Sequence, residues 1–262
     1  MDMNQNWTDN SSRQMIKQNR GIDTMSTGSL SNYRLETSTR IPSNQSRKDA
    51  SMSIPTGSEQ LSESNNNQDR YILWVDGIGS YLVLMGENVT IGGPHQLPNS
   101  VDIPLLSNLS RKHASIIRSS SSNYYLEAHS KVSVSGREVF ENTYLNSGSE
   151  IQLGNSVQLA FHIPNALSSS AVLSFQSGHR PDQNVDAVIL MNDSCLLGPG
   201  QENHITCKDW NETVILFKQG NELYCQSRAD LFMNDQLIDH QIEIPAGAVI
   251  SGMDFRFRLE KI

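Results

Sequence analysis

The sequence predicts an all-β protein: two consecutive sandwich modules behind a polar N-terminal arm. Three observations carry this. From Arg70 to Ile262, short runs of Val, Ile, Leu, Tyr and Phe alternate with clusters of Gly, Asn, Ser and Pro. Such runs, spaced about 8–12 residues apart and bounded by turn formers, mark a sandwich or barrel. No stretch of useful length has the 3.6-residue apolar period of an amphipathic helix. Finally, the second half of this region repeats the first.

Residues 1–69 are of another kind. They hold 13 Ser, 9 Asn and 6 Gln, and their apolar residues are scattered singly. Such a stretch cannot bury enough apolar area to offset roughly 1–2 kcal/mol of backbone entropy per residue, so a disordered tail is expected.

The first module is expected over 70–164. Its strands are read at Tyr71–Val75, Tyr81–Met85, Val89–Ile91, His113–Arg118, Tyr124–Ala128, Lys131–Val134, Glu150–Leu153 and Val157–Ile163. A connector follows over 165–180, with one short apolar run at Ala171–Phe175, and a second module over 181–262. The repeat lays Tyr125–Val139 on Tyr224–Ile238 without a gap, at an offset of 99. The same offset carries Gly148 onto Gly247 and Ile151 onto Ile250. Ser135-Gly136 then matches Asn234-Asp235, a two-residue hairpin turn in each copy.

Charge and composition exclude several classes. The tail carries 7 Lys+Arg against 8 Asp+Glu, leaving 13 against 20 for the rest, so most of the net −8 lies in the folded part. An acidic fold is a poor partner for nucleic acid or a membrane surface, which are gripped by clustered cations. No run approaches the 18 or so apolar residues of a membrane span. Met1–Arg20 is polar throughout and lacks the apolar stretch of a secretory signal. Three cysteines, an odd number, form no disulfide framework, and a reduced cytoplasmic setting is expected.

One segment carries more specific information. Ile91-Gly92 is followed by Val101-Asp102-Ile103-Pro104-Leu105 and then by Leu109-Ser110-Arg111-Lys112-His113-Ala114-Ser115-Ile116. This order of Gly, Asp-Ile-x-Leu and Ser-Arg-x-His-Ala resembles the forkhead-associated (FHA) family across about 95 residues. The resemblance implies an FHA-type β-sandwich followed by a second, FHA-like one. It also implies a non-catalytic interaction module whose loops grip a phosphothreonine segment of a protein partner in signalling. Ser110 and Arg111 are then phosphopeptide contacts, joined by Lys131 on the following loop. Gly92 and His113 shape the loops. The chemistry is reasonable, since a phosphothreonine brings nearly two negative charges and three acceptor oxygens to a hydroxyl donor and forked or ammonium cations.

Two departures stand out. The arginine expected after Gly92 is Gly93, and the Asn-Gly expected before the first module's hairpin is absent. Losing one charge-assisted hydrogen bond weakens binding about tenfold to a hundredfold. Candidate substitutes are Arg111, Lys131 and His95, and a cationic end can be assembled from Arg111, Lys131 and Arg137 only if they converge. If they do not, the alternative is a degenerate sandwich acting as a structural scaffold.

The second copy keeps Gly198 but follows it with Pro199, and Asp209–Thr213 holds no Ser-Arg-x-His. With 6 Lys+Arg against 13 Asp+Glu over 181–262, it is not expected to read phosphate. Gly198-Pro199-Gly200 lacks the Lys-Ser/Thr of a P-loop and reads as a turn. Cys195, His204, Cys207 and Cys225 have no zinc-ligand spacing and read as core residues, so neither metal nor cofactor is expected. No catalytic constellation is present. The tail offers a tethered ligand should Thr27 or Thr56 be phosphorylated, since flexible linkage gives effective concentrations on the order of millimolar.

Overall fold

The computed structural model describes residues 69–94, 100–220, 222–238 and 240–262, and within them the chain is entirely strand and loop. The expected tail therefore lies outside the described residues, save Asp69. The first eleven strands are β1 (Arg70–Val75), β2 (Gly79–Leu84), β3 (Asn88–Gly92), β4 (Ile103–Pro104), β5 (Ala114–Arg118), β6 (Tyr124–Ala128), β7 (Val132–Val134), β8 (Arg137–Val139), β9 (Asn142–Leu145), β10 (Ser149–Leu153) and β11 (Val157–His162). Eleven more follow: β12 (Ala171–Phe175), β13 (Ala187–Leu190), β14 (Ser194–Gly198), β15 (Ile205–Thr206), β16 (Val214–Gln219), β17 (Glu222–Gln226), β18 (Leu231–Met233), β19 (Gln236–Ile238), β20 (Gln241–Glu243), β21 (Val249–Ser251) and β22 (Arg256–Lys261).

Two five-stranded sheets, β4-β3-β5-β6-β9 and β15-β14-β16-β17-β20, have the same pattern of pairing. In the first, Ile91 lies opposite Ile103 in parallel and opposite Ala114 antiparallel. In the other, Leu197 stands in the same way between Ile205 and Val214. Both hairpin turns form where the sequence places them. Ser135 and Gly136 have φ of 49° and 77°, Asn234 and Asp235 of 50° and 67°. Positive φ at both central positions is what a two-residue turn between twisted strands demands, hence the small and amide residues.

The long sheet holds the unexpected feature. Its twelve strands run β19-β18-β21-β22-β1-β2-β13-β12-β11-β10-β7-β8. Read inward from either edge, the two six-strand halves are alike, and they meet where β2 and β13 pair in parallel, Tyr81 opposite Ala187 and Leu84 opposite Leu190. The first hairpin of the chain, β1–β2, thus stands beside β22, the last strand. The hairpin β12–β13 stands beside β11, in the place that β1–β2 would fill in a sandwich built from 70–164 alone. The segment 165–180, expected as a connector, supplies an interior strand, and Arg180-Pro181 lies inside a hairpin.

Both faces of the four shared strands are covered. Ile72, Leu82, Leu84, Leu173, Val188 and Leu190 point into one core with Ile91, Ile103, Ile116, Leu126, Leu153 and Phe161. Tyr71, Leu73, Val75, Val83, Val172 and Ile189 point into the other, with Leu197, Trp210, Leu216, Cys225 and Phe257. Successive residues of a strand face opposite sides of its sheet, so one hydrophobic run serves two cores. The described residues all lie within one compact unit.

Candidate functional site

Four connections gather at one end of the first sandwich: the residues after β3, the long loop from Leu105 to His113, the β6–β7 loop and the β10–β11 turn. Gly92 allows the first two to touch. A Cβ there would lie 1.9 Å from the Arg111 carbonyl oxygen, a backbone atom with no freedom to swing away. The Gly93 amide donates to the Ser110 carbonyl (3.0 Å), and the Leu105 amide to the Gly92 carbonyl (2.8 Å).

His113 holds this arrangement from beneath. It is 4% exposed. Its backbone amide donates to Ile91 (2.9 Å), and its carbonyl accepts from His129 and Ser130. Its Nδ1 lies 3.2 Å from the Ser110 amide, which must be the donor. The ring hydrogen therefore resides on Nε2, which lies 2.9 Å from the Lys131 carbonyl. One imidazole thus ties the Ser110 loop to the Lys131 loop.

The candidate contacts are distributed around that tie. Ser110 is exposed, and its hydroxyl meets that of Ser130 at 2.6 Å. Arg111 and Lys112 are exposed beside it. Lys131, also exposed, donates from Nζ to Asn155 Oδ1 at 3.3 Å on the β10–β11 turn. Ser110, Arg111 and Lys131 thus share one loop cluster. Arg137 does not: it pairs with Val134, at the far end of the hairpin that Val132 and Val139 begin. The three-cation end that includes Arg137 does not form, because β7 carries the chain away from the loops. His95 lies outside the described residues.

The geometry also accounts for Gly93. A Cβ there would lie 2.7 Å from the Leu109 carbonyl oxygen, so the loop has closed over the place where a side chain would leave the backbone.

Asp102, quoted in the sequence motif but given no role, braces the entry to β4. Its Oδ2 accepts from the Thr90 amide (2.8 Å) and hydroxyl (2.7 Å), while its own amide donates to Thr90 Oγ1 (3.0 Å). Arg70 donates to the Asp102 carbonyl (3.0 Å) and is buried, which pushes its guanidinium below the usual range.

At the matching end of the second sandwich the chemistry is different. Leu197 and Val214 stand where Ile91 and Ala114 do, so Trp210 takes the place of Ser110 and Thr213 that of His113. Trp210 is buried and packs on Phe255, ring centres 5.1 Å apart. His204 takes over the bracing done by Asp102: Nδ1 accepts from the Leu196 amide (3.0 Å) and Nε2 faces Ser168 Oγ (2.8 Å). Burial lowers its pKa to about 4. Its spacing from Leu196 is eight residues, against twelve between Thr90 and Asp102, so no sequence signal linked the two. Cys195, Cys207 and Cys225 are buried thiols, and burial raises Cys207 and Cys225 to about 12. Among the described residues, no group of three or more His, Cys, Asp or Glu is placed to hold a metal. No helix among them is long and apolar enough to cross a membrane.

No family model matches the chain, and no curated protein matches it. Solved structures that resemble it are FHA domains. The FHA structure of Rv0020c is 20% identical over 33% of this chain and 85% of its own, with a TM-score of 0.24. The FHA domain of the CT664 protein from Chlamydia trachomatis is 23% identical over 32% and 89%, with a TM-score of 0.24. The N-terminal FHA domain from EssC, a component of the bacterial Type VII secretion apparatus, is 13% identical over 72% and 92%, with a TM-score of 0.21.

Proposed function

We propose that the protein is a non-catalytic, FHA-type interaction module whose first sandwich receives a phosphothreonine segment of a protein partner at Ser110, Arg111 and Lys131. The observation that carries this reading is the His113 tie, which joins the backbone of Ser110, whose hydroxyl is exposed, to that of Lys131, whose ammonium is exposed. A phosphate seated there would exchange the Ser110–Ser130 contact for a charge-assisted hydrogen bond, with Arg111 and Lys131 balancing its charge. The second sandwich is a divergent copy in tandem, without phosphate chemistry, since a buried Trp210 stands where the first sandwich exposes Ser110 and the segment 181–262 is acidic. Buried, unpaired thiols support a reducing, cytoplasmic setting. The partner is another protein of a signalling pathway or the chain's own phosphorylated tail.

The scaffold reading draws on Gly93 and on the separation of Arg137 from the loops, which leave two cations from the expected set. Fluorescence anisotropy of the full chain with a degenerate peptide library bearing one fixed phosphothreonine separates the two. The module reading expects phosphate-dependent binding that Ser110→Ala weakens about tenfold to a hundredfold. Equal signals from the phosphorylated and unphosphorylated libraries would leave the scaffold.

A further inference from the structure

The shared sheet fixes the direction in which both sets of loops face. In the first half, β11 begins beside the end of β12, Leu159 opposite Phe175. In the second, β22 begins beside the end of β1, Phe257 opposite Val75. Those hairpins join through β2 and β13, which run parallel, so the end of β1 and the end of β12 lie at the same end of the molecule. The two five-stranded sheets cover opposite faces of these strands. Both loop ends therefore open in one direction, on opposite faces of the shared sheet and toward its opposite edges: Lys131 and Gly154 adjoin β7 and β10, whereas Arg228 and Asp254 adjoin β18 and β21.

The loop end of the second sandwich contains a cleft of about 420 Å3, lined by Asn211, Glu212, Thr213, Ile215, Gln226, Ser227 and Arg228. Asn211–Thr213 precede β16 as Arg111–His113 precede β5, and Ser227-Arg228 follow β17 as the β6–β7 loop follows β6. The cleft thus occupies the topological place of the first sandwich's contact loops. Its lining is different: amides and hydroxyls beside one isoleucine, with one carboxylate and one guanidinium. Asp254 stands next to it, accepting the Asn211 amide.

We propose that this cleft holds an extended, unphosphorylated peptide segment with a basic residue, continuous with the segment bound at the first end. The inference rests on the proposed function for its first contact. Amide and hydroxyl groups suit a peptide backbone, Glu212 suits a lysine or arginine, and the acidic balance of 181–262 repels a second phosphate. Packed sheets stand about 10 Å apart and about seven strand spacings of roughly 4.8 Å separate the two loop sets along the sheet, so the two ends are about 40 Å apart, which roughly twelve extended residues span. Such a link raises overall affinity without new contacts at either end.

The test uses the full chain and two labelled degenerate libraries around one fixed phosphothreonine, one with three flanking residues per side and one with twenty, each also made with threonine. The long phosphorylated library binds at least tenfold tighter than the short one. The double variant Glu212→Lys/Arg228→Ala removes that gain and leaves the short library's affinity unchanged. Equal affinities in the parent protein, or a gain that survives the double variant, overturn the proposal. If phosphate alters neither library, the first-site reading fails by itself, and the long threonine library decides the cleft. Binding lost in the double variant supports it; no binding, or binding indifferent to the variant, overturns it.

Discussion

The imidazole of His113 accepts the Ser110 amide on Nδ1 at 3.2 Å and, through Nε2, joins the same ring to Lys131. Removing the ring leaves the Ser110 amide without its acceptor in a part-buried place, a loss of about 1–3 kcal/mol. His113→Ala in the full chain should lower the melting temperature by roughly 2–10 °C without any ligand. An unchanged melting temperature would mean that the ring does not hold the loops.

The glycines after β3 yield a second prediction. Gly92→Ala drives a methyl group into the Arg111 carbonyl, so the contact loop must move, and stability falls. Gly93→Arg restores the cation of the family pattern but pushes against the Leu109 carbonyl. It should destabilise the protein without improving phosphopeptide affinity. Tighter binding at an unchanged melting temperature would show that the loop gives way freely.

The hairpin arrangement predicts how the chain can be cut. A fragment spanning 70–164 lacks β12 and β13, and with them Leu173, Phe175, Val188 and Leu190 from its core. Each large apolar side chain contributes about 1.5–3 kcal/mol when buried, so the loss of these four, about 6–12 kcal/mol, is comparable with the whole stability of an ordinary domain. Such a fragment should show the collapsed amide dispersion of an unfolded chain, whereas 69–262 should be fully dispersed. A folded 70–164 would mean that β1–β2 can close the first sandwich.

His204 sets a pH dependence. Its pKa falls from the ordinary 6.5 to about 4 in the fold because burial disfavours the charged ring. Above pH 6.5 neither state is protonated and the contribution is complete. Between 6.5 and 4 only the unfolded chain takes up the proton, so stability drops as pH falls, by up to about 3 kcal/mol. The melting temperature of His204→Gln should decline less than the parent's between pH 7 and pH 4.5. Parallel declines would contradict this account.

These particulars show what could be read from sequence. The turns at Ser135-Gly136 and Asn234-Asp235 were legible because positive φ restricts residue type locally. Strands such as Tyr124–Ala128 were legible from their alternation. Asn142–Leu145 was not, because an edge strand with one buried residue carries almost no pattern. The exchange of hairpins was hidden for a different reason. Arg70–Val75, Gly79–Leu84 and Ala187–Leu190 are largely buried on both faces, so their runs fit either sandwich, and nothing local chooses the neighbour. Within the site, Ser110, Arg111 and His113 were marked by their order. The brace made by Asp102 and its counterpart at His204 depends on contacts across strands, which spacing does not encode.

The most direct measurement is an amide-shift map of the labelled full chain titrated with the degenerate phosphothreonine library and with its threonine twin. The account predicts saturable shifts at Ser110, Arg111 and Lys131 with the phosphorylated library alone, abolished by Ser110→Ala. Shifts absent from those three amides, or equal with the threonine library, would contradict it.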